Sequence, residues 1–371
     1  MNNILRWLVV IEEREDTRQS RKVKHLMKDI IALVFFASLA NADEWTCIEY
    51  FGIANEKFLR KYLELPHGIP SHDTIQRVFA MVSSGYLQEF RKRWDEVMSG
   101  NMGNKIKKIL GIDGKTQRGN GTAEQKANHI VSAVDDTGFC IGEICVNEKS
   151  NEITAIPELL DSLNIKGHII TTDAMGCQKD IVAKIRKRKA DYVLALKGNQ
   201  GNLHDDVKLF FEDQDLLADC AYVKTIEKAR GGIEKREYWQ SDKISWLSQK
   251  KDWEGITSIA MTRNTITKDD KITTEVRYFI SSLPLDVKEI ARAIRGHWMV
   301  ESYHWHLDVT FREDANHTIE KDSAYNLNIM KKMAINTLKV VDVGIKRISL
   351  KGKRYLIGAN FEKYFEAIME I

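Results

Sequence analysis

Proline is scarce in this chain, with 4 in 371 residues, which argues against long stiff linkers. Cysteine is sparse and scattered, at positions 47, 140, 145, 177 and 220. None forms a C-x-x-C pair, and Cys140 and Cys145 lack neighbours with zinc-ligand spacing, so neither a zinc module nor a disulfide framework is expected. Five spread thiols suit a reducing, cytoplasmic setting. No sign of charge dominates: 56 basic and 53 acidic residues leave a net +3. Any nucleic-acid binding must then rest on local patches rather than on total charge. Long hydrophobic runs are missing too. The longest, Ile30 to Ala40 with Ser38 inside it, falls short of the ~20 residues that span a bilayer. The opening stretch Met1 to Trp7 carries Arg6 among its apolar residues and predicts no signal peptide.

What is present is 43% hydrophobic residue content, enough for a sizeable core shared by two or three packed units. Residues 1–100 predict a helical unit. It holds a buried helix from Lys24 to Ala42, a second helix from Asp73 to Val82 with Ser71 as its N-cap, and an amphipathic helix from Tyr86 to Met98. Ser99 to Lys107 is the expected linker. From 105 to 200 the pattern changes. Lys108 to Asp113 is an apolar strand that ends at its aspartate, and Asp135 to Gly138 joins strands His129–Val134 and Phe139–Val146 in a hairpin. A helix at Ile156–Leu163, a strand from Gly167 ending at Asp173, a helix at Gln178–Lys189 and a strand at Asp191–Leu196 follow. A hairpin and then alternating strands and helices predict an α/β fold with a mixed sheet. Residues 201–285, with Gly231-Gly232, Trp239, Trp246, Trp253 and short β-type runs, read as a β-rich insertion. Helical periodicity returns over 286–371, at Val287–His306 and Ala324–Lys339.

Two aspartates at the ends of two buried strands are the first chemical signal. Alone, Asp113 followed by Gly114 is an ordinary turn, and Asp173 an ordinary strand-end residue. If the strands are neighbours, the carboxylates converge at one sheet edge, where like charges repel unless a cation lies between them. Carboxylate oxygens suit Mg²⁺ or Mn²⁺, and two such ions can drive phosphoryl transfer. The helix Ile294–Trp305 offers a third acid, Glu301, with His297, His304 and Trp305 on its face and Asp308 seven residues on. Three histidines there could also suit zinc, but no ligand spacing repeats elsewhere. In isolation the helix reads equally as an amphipathic one with aromatic core contacts.

Longer motifs carry a family resemblance. They are Gly111-Ile112-Asp113-Gly114-Lys115, Lys149 through Pro157, Thr172-Asp173-Ala174-Met175, Asp191 through Gln200, Arg295-Gly296-His297-Trp298, and the N-terminal block Gly68 through Thr74. Over nearly its whole length the chain resembles insertion-sequence DDE transposases of the ISAs type, also known as H-repeat-associated proteins. The resemblance implies an RNase H-like catalytic core with a β-rich insertion, preceded by a helical N-terminal domain. It implies Asp113, Asp173 and Glu301 as catalytic metal ligands, Mg²⁺ or Mn²⁺ as cofactor, and a bacterial, cytoplasmic, nucleoid-associated location. The implied partners are element ends and target DNA, held by a homodimer or larger synaptic assembly.

Lys115 and Arg118 follow the first acid, Lys197 follows the strand at Asp191, and Arg295 and His297 precede the glutamate. These five are the expected DNA contacts. The basic run Lys184 to Lys189 reads instead as a solvated helix end. Two departures stand out. Related transposases set Tyr, Arg and Lys around the glutamate at fixed spacing, whereas here His297 occupies the near position and Asp308 the later one. Arg230-Gly231-Gly232-Ile233-Glu234 stands where the family usually has His-Gly-Arg-Ile-Glu. An RNase H-fold nuclease without strand transfer, or an inactive DNA-binding relic of a mobile element, would share the same fold.

Overall fold

The computed structural model describes residues 16, 18, 21, 23–99, 108–146, 150–229, 231–269 and 271–369. The opening residues 1–7, most of the expected linker at 99–107, Lys149 and Arg230 lie outside that set. The chain is a mixed α/β protein. Helices α1 (Met27–Leu39), α2 (Trp45–Leu59), α3 (His72–Met81) and α4 (Ser84–Ser99) come first. Strands β1 (Ile109–Thr116), β2 (His129–Asp135) and β3 (Cys140–Cys145) follow, then α5 (Glu152–Ser162), β4 (Ile169–Thr172), α6 (Lys179–Lys187), β5 (Asp191–Leu196), α7 (Asn202–Glu212) and α8 (Gln214–Ala218). Strands β6 (Ala221–Ala229), β7 (Gly232–Ser241), β8 (Ser258–Lys268) and β9 (Lys271–Ser281) lead to helices α9 (Val287–Trp305), α10 (Lys321–Val340), α11 (Leu350–Ala359) and α12 (Phe361–Met369).

The nine strands form one sheet in the order β3-β2-β1-β4-β5-β9-β8-β7-β6. Strands β1, β4 and β5 run parallel, while β2 and β3 join antiparallel at one side. At the other side β9 pairs antiparallel with β5 and brings in β8, β7 and β6. The segment read as a β-rich insertion therefore extends the central sheet.

Helix α1 is apolar all round because it is buried all round, with Ile30 to Ala37 at most 1% exposed. It packs within a core shared with α3, α4 and α10. Ser71 stands at the N-cap of α3 as expected, but its hydroxyl meets Thr74 Oγ1 at 3.1 Å and caps no backbone N–H. Helix α5 begins four residues earlier than the apolar pattern suggests, because Asn151 accepts the Thr154 N–H in a capping box. Among the described residues no helix is long and apolar enough to cross a membrane.

Alternation along the strands decides which side chains meet α9. Leu110, Ile112, Ile170 and Leu194 belong to the core on the far face, which α5, α6 and α7 cover. Ile109, Ile169, Val193 and Phe279 pack with Ile290 and Ala293 of α9. Residues two and four further along β1 and β4 share that second face, which puts Asp113 and Asp173 on the α9 side. Two glycines let the helix come close. A Cβ on Gly111 would lie 3.1 Å from Val300 Cγ1, and one on Gly296 would lie 3.0 Å from two Ile109 carbons. Gly111→Val is expected to push α9 off the strand at a cost on the order of 1–3 kcal/mol, read by urea unfolding. Unchanged stability would mean that the helix has room to move.

Candidate active site

Strand β1 does not end at Asp113. It continues to Thr116 because β2 pairs with it along that length, Asp113 opposite Ser132 and Thr116 opposite His129. Its parallel neighbour β4 stops at Thr172, opposite Ile112. Asp113 is thus the first residue beyond the parallel pairing, and Asp173 follows directly after β4. Both sit at the carboxyl edge of neighbouring parallel strands, where open α/β sheets place their ligands.

Helix α9 crosses this edge and supplies Glu301. All three acids line one cavity of about 390 Å³, together with Thr171, Lys197, His204, Glu275, Arg277, His297 and Trp298 among others. The three acids named from the sequence therefore share one cavity. Asp173 Oδ1 accepts the backbone N–H groups of Met175 and Gly176 at 2.9 and 3.2 Å, which fixes its turn. His304 Nδ1 lies 3.4 Å from Asp113 Oδ2, and its Nε2 is buried without a hydrogen-bond partner among the described residues. His297 Nδ1 pairs with Thr171 Oγ1 at 3.0 Å, spanning α9 and β4.

The charges respond to this crowding. Burial pushes the Asp173 carboxyl up, and the negative charges of Asp113 and Glu152 add to it. Burial likewise raises Glu301, with Asp113 adding to the rise and Arg277 opposing it. Burial acts in the same direction on Asp113, but the hydrogen bond and charge of His304 outweigh it and hold that carboxyl below the ordinary range. Burial lowers His297, favouring its neutral ring.

A carboxyl raised in the folded chain lends stability that is complete below its unfolded pKa and is lost as pH rises through the folded value. Without divalent ions, Glu301→Gln should therefore melt above the wild type near neutral pH by ~1–3 °C. The difference should shrink as the pH falls toward about 4. Calorimetry across that range checks the sign, and a variant that melts lower at neutral pH contradicts it.

Glu152 was not singled out by sequence reading, although its segment was. It stands at the first turn of α5, accepts from His129 Nε2 at 2.7 Å, and adds a fourth negative charge beside Asp173. Any side chain at position 114 would collide with Glu152 and His129, which explains Gly114 after the first acid. Arg277 and Glu275 were also missed, because alternation in β9 marks them only as residues outside the core.

The five expected basic contacts divide into two groups. Arg118, Lys197 and Arg295 are exposed, and the Arg295 guanidinium lies 5.6 Å from the Trp298 ring centroid. Lys115 is instead turned inward. Its ammonium, 9% exposed, meets Asp308 at 2.7 Å, Glu313 at 2.8 Å and Asp314 at 3.3 Å. It ties β1 to the turn that follows α9, and burial alone would raise Glu313, but Lys115 and Lys331 hold its carboxyl down at about 2. His297 is occupied by Thr171. In the basic run of α6, Lys184 and Arg188 pair with Asp161 and Arg186 with Asp191, in keeping with a structural helix end.

The donors around the cavity fit a hard divalent ion, being carboxylates with mutual repulsion to relieve. Among the described residues, no three His, Cys, Asp or Glu side chains are grouped closely enough to hold one ion. Mg²⁺ commonly takes only one or two protein carboxylates and completes its shell with water and substrate phosphates.

Comparison with known proteins gives this geometry a family. Residues 8–95 match the DDE_Tnp_1-associated model, and residues 104–337 match the transposase DDE domain. YncI of Escherichia coli O157:H7, named as a transposase, is 39% identical over 352 residues, covering 90% of this chain and 87% of that protein. The H repeat-associated protein YhhI of Escherichia coli (strain K12) is 39% identical over 345 residues, covering 90% of each. A shorter relative from the same strain, named as the inactive transposase YbfQ, is 44% identical over 72 residues, 19% of this chain and 82% of its own length. With its acids gathered at the carboxyl edge of the sheet and the domain match spanning both strands and helix α9, the chain belongs to the DDE transposase family.

Proposed function

We propose that this protein cuts DNA at the ends of its mobile element and joins the freed 3′-hydroxyl to target DNA, by metal-dependent phosphoryl transfer. The observation that carries this reading is the convergence of Asp113, Asp173 and Glu301 from β1, the end of β4 and α9 around one cavity. The strand order β3-β2-β1-β4-β5, with α9 across its carboxyl edge, is consistent with an RNase H-like core. In this reading residues 105–200 and 286–371 form that core, residues 201–285 are its insertion, and residues 1–100 form a helical N-terminal domain. At least two copies hold the two element ends.

The three acids would hold Mg²⁺ or Mn²⁺, with Asp113 best placed to stay ionised. When bound there, such ions activate the attacking oxygen and stabilise the leaving one. The chain's own groups do the rest. His304 orients the Asp113 carboxylate, and the His297–Thr171 contact holds α9 on β4. Lys115, paired with three acids, fixes the turn after α9 and so the distance from Glu301 to β1. Lys197 lines the cavity, and with the exposed Arg118 and Arg295 it would serve as a salt-sensitive phosphate contact. The acids act as ligands and not as nucleophiles, so no covalent protein–DNA intermediate forms. Incubating the protein with DNA flanking its gene and resolving nicked from joined strands tests the reading. Nicking without joining would reduce it to a nuclease.

A further inference from the structure

The cavity that gathers the three acids is short of positive charge. Its lining carries four carboxylates, those three and Glu275, against two permanent cations, Lys197 and Arg277. A phosphodiester entering it adds negative charge, and more develops as the phosphorus is attacked. Lys115, the nearest basic residue in sequence to Asp113, is already held by Asp308, Glu313 and Asp314. Beside the divalent ions proposed on the acids, the side-chain cations left for the reacting phosphate are Lys197, at the end of β5, and Arg277.

Arg277 sits on β9, the strand by which the insertion joins the central sheet. Phe279, two residues along, packs with Ile290 and Ala293 of α9, so Arg277 projects from the same face toward that helix. Its guanidinium lies 5.9 Å from the Trp298 ring centroid, and Arg295 lies 5.6 Å from the same ring. Its Nε donates to Glu275 at 2.8 Å, and its terminal nitrogens have no hydrogen bond among the described residues. The side chain is 39% exposed. Its charge reaches Glu301, opposing the rise in that carboxyl. The other arginines of β7 and β8 are committed. Arg236 is 12% exposed and paired with Glu227 and Glu234, and Arg263 stacks at 5.0 Å on Trp239, on the opposite face of the sheet.

Resting on the function proposed above, we infer that Arg277 is a catalytic residue. Its terminal nitrogens grip two oxygens of the phosphate under attack, in the forked geometry that guanidinium and phosphate share. Trp298 with Arg295 forms the wall that keeps it facing the cavity. The insertion thus contributes chemistry from β9, which answers the absence of Arg and Lys at the family's usual positions around the glutamate.

The test uses the full chain, a duplex taken from the DNA flanking its gene, and Mg²⁺ or Mn²⁺. Single-turnover cleavage by Arg277→Gln should fall ~10²-fold, while duplex affinity without divalent ions stays within about threefold and the melting temperature is unchanged. Arg277→Lys, a point charge without the fork, should bind normally and recover only part of the rate, remaining about tenfold slow. Arg263→Gln, on the far face, should cleave like the wild type. If Arg277→Gln or Arg277→Lys cleaves at the wild-type rate, the inference fails and the transposase reading stands. An equal loss of affinity and rate would also overturn it, since Arg277 would then be a plain DNA anchor. If the wild type itself does not cleave with either metal, both readings fall together.

Discussion

Asp113→Asn is expected to abolish metal-dependent cleavage and joining, by 10³-fold or more on the order of 4 kcal/mol of transition-state stabilisation. The substitution keeps size and hydrogen-bonding shape, so the loss isolates the charge. Among the three acids, Asp113 alone has its carboxyl held below the ordinary range, the pull of His304 outweighing burial. Asp173 and Glu301 are pushed the other way, so Asp113 is the carboxylate of the three most fully ionised without metal. Removing it also relieves the repulsion that raises the other two. The variant should bind flanking DNA as well as the wild type and melt slightly lower near neutral pH, because the depressed Asp113 carboxyl lends stability there. Cleavage rate, DNA affinity and melting temperature measured on one preparation separate lost chemistry from lost fold. A variant that retains full strand-transfer rate would remove Asp113 from the site.

The largest expected effect on stability lies far from the acids. Arg354 of α11 is fully buried. Its Nε and Nη2 donate to the Ser38 carbonyl at 3.1 and 2.8 Å, Nη2 pairs with Asp43 Oδ1 at 2.6 Å, and Nη1 donates to the Thr310 carbonyl. The guanidinium also stacks 3.8 Å from the Phe311 ring centroid. One side chain thus joins the end of α1, the loop after it and the turn that follows α9. Arg354→Met should cost about 3–5 kcal/mol, because it leaves the Asp43 charge buried and unpaired and two carbonyls without donors. The double variant Arg354→Met with Asp43→Asn should recover part of that loss, since the stranded charge is gone. Chemical denaturation of the single and double variants measures both. A single-variant loss under about 1 kcal/mol would put the pair in the class of weak, solvent-screened bridges.

Much of this acid-lined edge was legible because it depends on local pattern. Apolar runs ending in Asp113 and Asp173 marked two strands of the sheet, and helical periodicity over Val287–His306 marked the helix that carries Glu301. The limit of β1 was not legible, since its extension to Thr116 is set by pairing with β2 and not by its own residues. The contribution of Glu152 and Arg277 was hidden for a related reason. Arg277 lines the cavity and Glu152 acts on Asp173, each from a segment whose composition says only strand or helix start, and only the sheet order brings β9 beside β5. Lys115 looked like a free cation because the acids that hold it, Asp308, Glu313 and Asp314, lie far along the chain. The N-terminal helices show the same division. Helix α1 was visible as one apolar run, while α2, with a mixed face and no strong cap, was not.

Divalent-metal phosphoryl transfer at this edge is what the proposed function requires. The most direct measurement incubates the wild-type chain with end-labelled DNA from the flanks of its gene, in Mg²⁺ or Mn²⁺ and in parallel with chelator. Nicked strands ending in 3′-hydroxyls are expected, with joined products appearing later, and neither in chelator. Cleavage that persists in chelator, or a strand left covalently attached to the protein, would contradict it.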